Sequence, residues 1–246
     1  MDGIRRFDIM LKVFSISALL AFLFISNCLV ATQAQTQAPE NGDLSAKQLE
    51  RIQIEAQSVG SFFSELALSS NIPIGLEIAS REGNLASYGI DFKKGTLSEL
   101  LNQFVIQHNQ YAWEIREGVV NVFPKDEFRD ALFHNLLETR IGHFAVKENT
   151  SCWMLAETLV STPEMKKVLE ANGTSYRSPD FSGFYIPQAG RYFKLDVSNV
   201  TLKSILNIVV KQSPTAKFWV IARNYDRSLN VSFGARHEDF PIGGRK

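Results

Sequence analysis

The sequence predicts an α+β fold: two tandem β-α-β-β-α-β-β modules with helices packed on small mixed β-sheets. Three observations carry this expectation. Apolar residues switch repeatedly between a period of two and a helical period along residues 49–124. Capping and turn residues stand at the switches. A run of positions in the first stretch then recurs in the same order within residues 138–234.

Ile52 and Ile54 alternate with Gln53 and Glu55, the period of a half-buried strand. From Ser58 the spacing changes. Val59, Phe62, Phe63, Leu66 and Ala67 fall on one helical face, and Asn71 with Pro73 ends the helix. Ile74, Leu76 and Ile78, and after the Gly83-Asn84 loop Tyr88, Ile90 and Phe92, alternate again. Thr96-Leu97-Ser98-Glu99 fits a capping box, in which hydroxyl and carboxylate satisfy orphan amides. Leu97, Leu100, Leu101, Phe104 and Val105 form the second helical stripe. Two strands around Trp113 and Val119–Phe123 then flank Arg116-Glu117-Gly118, a hairpin signal.

A fixed offset carries Asp91, Thr96, Leu97, Asn102 and Gln107 onto Asp196, Thr201, Leu202, Asn207 and Gln212. Apolar positions between them match apolar ones. Trp219 matches Trp113, and Leu229 to Phe233 matches Val119 to Phe123. Phe144 and Val146 are the expected first strand of the second copy, and Trp153, Ala156, Leu159 and Val160 its first helix. An insertion at about 161–194, rich in aromatic residues, enlarges this copy. Residues 125–137 are read as a short helical connector with Phe128, Ala131, Leu132 and Leu136 on its apolar side. Both tryptophans and the Phe62, Phe63 and Phe104 stripe are expected in the core.

The segment 1–34 reads as a signal peptide. Arg5, Arg6 and Lys12 precede an apolar run from Val13 to Val30, with small residues at Ala31 and Ala34. Two alternatives stay open: an uncleaved anchor, and lipidation at Cys28 within Ile25-Ser26-Asn27-Cys28. Each places the remainder outside the cytoplasm, in the periplasm or cell envelope, with membrane contact only through this segment. Residues 35–48 are expected as a linker and 235–246 as a polar tail. Once the signal is removed only Cys152 remains, read as a small buried apolar residue, so a disulfide within the chain is not expected.

Charge excludes one function class. The chain carries 26 basic and 26 acidic side chains, without the clustered positive charge that phosphate neutralisation requires. Lys93-Lys94 and Lys166-Lys167 read as solvated surface. The four histidines, His108, His134, His143 and His237, lack metal-type spacing. His108 is expected at a helix C-terminus or in solvent. No nucleophile elbow, P-loop or dinucleotide fingerprint occurs. The expectation is therefore a protein that is not an enzyme and needs no cofactor or metal.

Ile52-x-Ile54, Phe62-Phe63, Ser70-Asn71 and Ile72-x-Ile74 resemble the first half of the secretin and TonB short N-terminal domain. Gly95 to Leu101, Trp113 and Gly118 to Val122 resemble its second half. The resemblance covers about residues 50–123, and the later part of 138–233. It implies a small α+β periplasmic module that docks other proteins, and it implies no catalytic residues. The sequence contains no plug, barrel or secretin core, so docking is carried over and transport is not. The expected partner is another envelope protein. Tyr176, Arg177, Phe181, Phe184, Tyr185, Arg191 and Tyr192 in the insertion are the candidate partner-binding residues, being types enriched in binding hot spots. The alternative is an envelope ligand-binding or hydrolytic protein whose pocket this aromatic segment forms.

Overall fold

In the computed structural model, which describes residues 43–79, 87–150, 152–177, 193–214, 216–223 and 227–235, Ser58 opens α1 (Val59–Ser70). Its hydroxyl accepts the Ser61 amide, and Asn71, in the left-handed region at φ 50°, closes the helix. The helix α2 (Leu97–Gln107) begins with the full capping box: Thr96 Oγ1 accepts from Glu99 N at 3.2 Å, and Glu99 Oε2 accepts from Thr96 N at 2.7 Å. The expected signal peptide, the Gly83-Asn84 loop and residues 236–246 lie outside the described residues. The end of the expected linker is folded: Leu44–Ala46 form a 3-10 turn and Leu44 packs on the core.

The strands are β1 (Gln48–Leu49), β2 (Ile52–Ala56), β3 (Ile74–Glu77), β4 (Tyr88–Phe92), β5 (Gly95–Thr96), β6 (Tyr111–Arg116) and β7 (Val119–Pro124) in the first half. The second half has β8 (Arg140–Thr150), β9 (Phe193–Thr201), β10 (Ala216–Arg223) and β11 (Leu229–Ala235). Its helices are α4 (Cys152–Val160), α5 (Pro163–Ala171) and α6 (Leu202–Gln212). The connector forms a 3-10 turn, Asp126–Phe128, and then α3 (Ala131–Glu138), capped by Asp130. The fold is α+β.

The two halves are not self-contained modules. The principal sheet has the order β11-β10-β3-β7-β6, so strands of both halves form one surface. β3 runs parallel to β7 on one side and to β10 on the other. Alternation along the strands sends side chains to opposite faces, and each face serves one half. Ile74, Leu76, Val120, Val122 and Phe218 join the core formed with α1 and α2. Trp219, Ile221 and Val231 join the core formed with α3 to α6. Pairs β2–β4 and β8–β9 form separate two-stranded sheets in the two halves.

Packing explains why this arrangement holds. Phe62, Phe63 and Phe104 are buried as expected, with ring centroids 4.7–5.1 Å apart. Each such side chain contributes about 1.5–3 kcal/mol on burial, before entropy. Trp219 lies across Gly75, where an added Cβ would overlap the indole. Only glycine permits that approach between β10 and β3.

Trp219 and its counterpart Trp113 then differ. Each donates its Nε1–H to the matching asparagine, Trp219 to Asn207 at 2.9 Å and Trp113 to Asn102 at 3.2 Å. Trp219 is 1% exposed, whereas Trp113, expected in the core, is only half-buried. The reason is neighbourhood: β10 has β3 alongside, while β6 ends the sheet. His108 closes α2, the helix C-terminus expected for it, and its ring packs against Tyr88 and Phe104, at 4.6 and 4.7 Å between centroids.

Candidate functional site

The carboxyl ends of β3 and β7 and the connector that follows them enclose a cleft of about 230 Å³. Glu77 ends β3 with its side chain 5% exposed. Alternation places it on the face of Gly75, toward the second core. Arg129, from the connector, brings Nε to 3.4 Å from Glu77 Oε1, an ion contact longer than a good hydrogen bond. The same guanidinium lies 5.1 Å from the Phe123 ring centroid and meets Asp126 at 3.3 Å. Lys203, in the first turn of α6, contacts Glu114 at 2.8 Å and stands 5.5 Å from the same ring. Arg116, His134, Leu137 and Glu138 complete the walls.

Burial pushes the Glu77 carboxyl up to about 7, because the charged form loses its hydration. Arg129 and Lys203 oppose the rise, while Asp130 and Glu138 add to it. Such a group exchanges a proton near neutrality, a property shared by acid–base catalysts and by buried structural carboxyls. The geometry is that of a seam. Arg129 and Asp130 are adjacent in the connector, and while Arg129 meets Glu77, Asp130 accepts from Arg223 of β10. The cleft lies below the volumes of about 300–1,000 Å³ typical of small-molecule sites.

A second seam lies along α6. In α2 the third helical residue is Glu99, which closes the capping box. In α6 it is Ser204, whose hydroxyl instead donates to Glu117 Oε1 at 2.9 Å. Asn207 Nδ2 donates to Glu117 Oε2 at 3.3 Å, and Lys211 Nζ to the Glu117 carbonyl at 2.9 Å. Glu117 and Gly118 form the β6–β7 turn, with φ of 59° and 76°. The second half thus grips the first by its hairpin turn.

The residues predicted from sequence divide. Tyr176 and Arg177 are described; Phe181, Phe184, Tyr185, Arg191 and Tyr192 lie outside the described residues. Tyr176 is half-buried against the second core and forms a parallel bridge with Leu229 of β11. The amide of Arg177 donates to the Leu229 carbonyl at 2.9 Å, and the Leu229 amide to Ser175 at 2.8 Å. The start of the expected insertion is also regular. Pro163 occupies the first turn of α5, and Met165 and Leu169, one turn apart, are buried.

Sequence reasoning missed Glu77, Arg129 and Lys203. Glu77 reads as the polar member of an alternating strand, which in a single module would face water. Asn121, buried beside Gly75 on the same face, was missed for the same reason.

The third feature is an edge. β6 pairs with β7 alone among the described strands. Arg116 and Val119 flank the two-residue turn, so their amides face each other, and alternation directs those of Trp113 and Ile115 outward. One helical turn beyond Asn102, the Trp113 partner, stands Ile106. It is 80% exposed, the most exposed large apolar residue among those described.

Among the described residues no group of histidine, cysteine or acidic side chains is arranged to hold a metal. No described helix is long and apolar enough to cross a membrane. Compared with models of known protein families and with curated proteins, the chain matches none.

Proposed function

We propose that this chain is a non-catalytic docking protein of the cell envelope, exported by its N-terminal segment, built from two related modules, and binding another protein through the outer edge of β6. The observation that carries the reading is that edge. A strand edge with no partner among the described strands presents main-chain donors and acceptors that an extended segment of a partner can satisfy. Trp113 and Ile106 beside it supply apolar area of the kind that makes such pairing specific. The resemblance to the secretin and TonB short N-terminal domain supports the same role, and so does the balanced charge, which disfavours nucleic acid.

A photo-crosslinking side chain placed at Ile106, at Arg177 or at His143 of the exported chain tests this in intact cells. A discrete protein adduct at Ile106, absent at the other two positions, is the expected result. An adduct at Arg177 alone moves the site to the aromatic segment. Absence of an adduct at all three removes the docking reading.

A further inference from the structure

The chain contains, within itself, an occupied counterpart of the β6 edge, which no other described strand fills. β10 is the second-half strand that matches β6, and its outer edge is filled by β3 of the first half, running parallel to it. The side chains around that junction match position for position. Trp219 corresponds to Trp113, each bonded to its asparagine. Lys211, one turn beyond Asn207, reaches the carbonyl of Glu117 in the neighbouring half, and its counterpart is the exposed Ile106. Ile221 is fully buried in the junction, while its counterpart Ile115 on β6 is only partly so. What separates the two surfaces is the presence of β3.

From this match, and resting on the docking reading above, we infer the partner's chemistry: the β6 edge accepts an extended protein segment that runs parallel to β6 and sets a glycine opposite Trp113. Direction follows from the β3–β10 pairing. The glycine follows from register. Trp219 stands opposite Gly75, where any Cβ would overlap the indole. Trp113 presents the same ring, held by the same asparagine, to whatever lies alongside. A second copy of the chain does not offer its own β3, which is paired on both sides.

The probe is a peptide of residues 71–78, which carries the β3 sequence, added to the exported chain at up to about 5 mM, the effective concentration a short tether provides. Amide and indole NMR resonances report its position. The expected result is displacement of the Trp113 indole and the Ile115 amide, with His143 unmoved. A peptide with Gly75→Val should bind about tenfold or more weakly, because the added volume has nowhere to go. Ile115→Pro in the protein removes one outward donor while sparing the β6–β7 ladder, and should abolish the response with the β-sheet circular dichroism retained. Equal binding of the glycine and valine peptides, or no displacement at β6 over the whole range, overturns the inference. So does self-association of the chain through β6, seen by sedimentation and relieved by Ile115→Pro, since the occupant is then a second copy. A crosslink at Ile106 without peptide binding leaves docking standing and removes this mode of it.

Discussion

Glu77→Gln tests whether the seam between the halves holds a carboxyl at the expense of stability. Glu77 is raised from an ordinary 4.5 to about 7 by burial. The unfolded chain therefore releases this proton well before the folded one does. The stability contributed is fully present below about 4.5 and is lost as pH rises through 7. At about 1.4 kcal/mol for each pH unit between the two values, the loss amounts to about 3 kcal/mol. Glutamine is nearly the same shape and stays uncharged, so the variant lacks this slope. Urea unfolding of both proteins at pH 4.5 and pH 8 isolates it, because other titrating groups cancel in the comparison. The two should be similarly stable at the acid end, with the variant ahead at pH 8 by about 3 kcal/mol at most. Should the wild type match or exceed the variant at pH 8, the attraction of Arg129 outweighs desolvation, and Glu77 is held as a stabilising ion pair instead of a buried acid.

The matched Trp–Asn pairs give a second test. Asn207→Ala leaves the buried Trp219 indole without its acceptor and Glu117 Oε2 without the Asn207 donor, and should cost about 2–3 kcal/mol. Asn102→Ala affects a half-exposed indole that water can reach, and should cost less than about 1 kcal/mol in the same urea titration. His108 should titrate below its ordinary 6.5, because burial against Tyr88 and Phe104 disfavours the imidazolium. Its ring protons followed by NMR against pH read this directly, and a midpoint above 6.5 would contradict it. The pH direction is opposite to that of Glu77: the neutral ring's contribution is present above 6.5 and is lost as pH falls.

Much of the local architecture was legible because local physics determines it. Ser58, Thr96 and Asn71 cap helices where the sequence places them, since capping depends on a few neighbouring residues. The turn at Glu117-Gly118 follows from glycine's freedom at positive φ. The β3–β10 pairing was not legible. It joins segments far apart in the chain, and parallel pairing has no turn to announce it. A clue did exist: Gly75 inside an otherwise apolar strand signals close approach of another group, and that group is Trp219. The cleft residues went unrecognised because of that one missed pairing. A sheet with one covered face leaves Glu77 in water, whereas a sheet covered on both faces buries it.

Sharing a sheet also bears on why each half is so small. A unit of about 75 residues buries a limited share of its surface and is marginal alone. In this chain each half lends strands to the other's core: Phe218 of β10 packs with the first-half helices, and α6 covers a face of β3 and β7. The arrangement leaves unlike ends. Along the sheet, β11 and β10 of the second half stand in the same order as β7 and β6 of the first, so the junction is head-to-tail and does not close. At the β11 end, Ser175 to Arg177 pair with Leu229. At the β6 end no described strand does so. Edge strands are commonly guarded by charge, and β6 has Glu114 and Arg116. Alternation places both on the cleft face, where Glu114 is engaged by Lys203. The opposite face carries Trp113, Ile115 and, from α2, Ile106. An edge guarded on one face and apolar on the other is suited to a partner that brings its own covering for the apolar side.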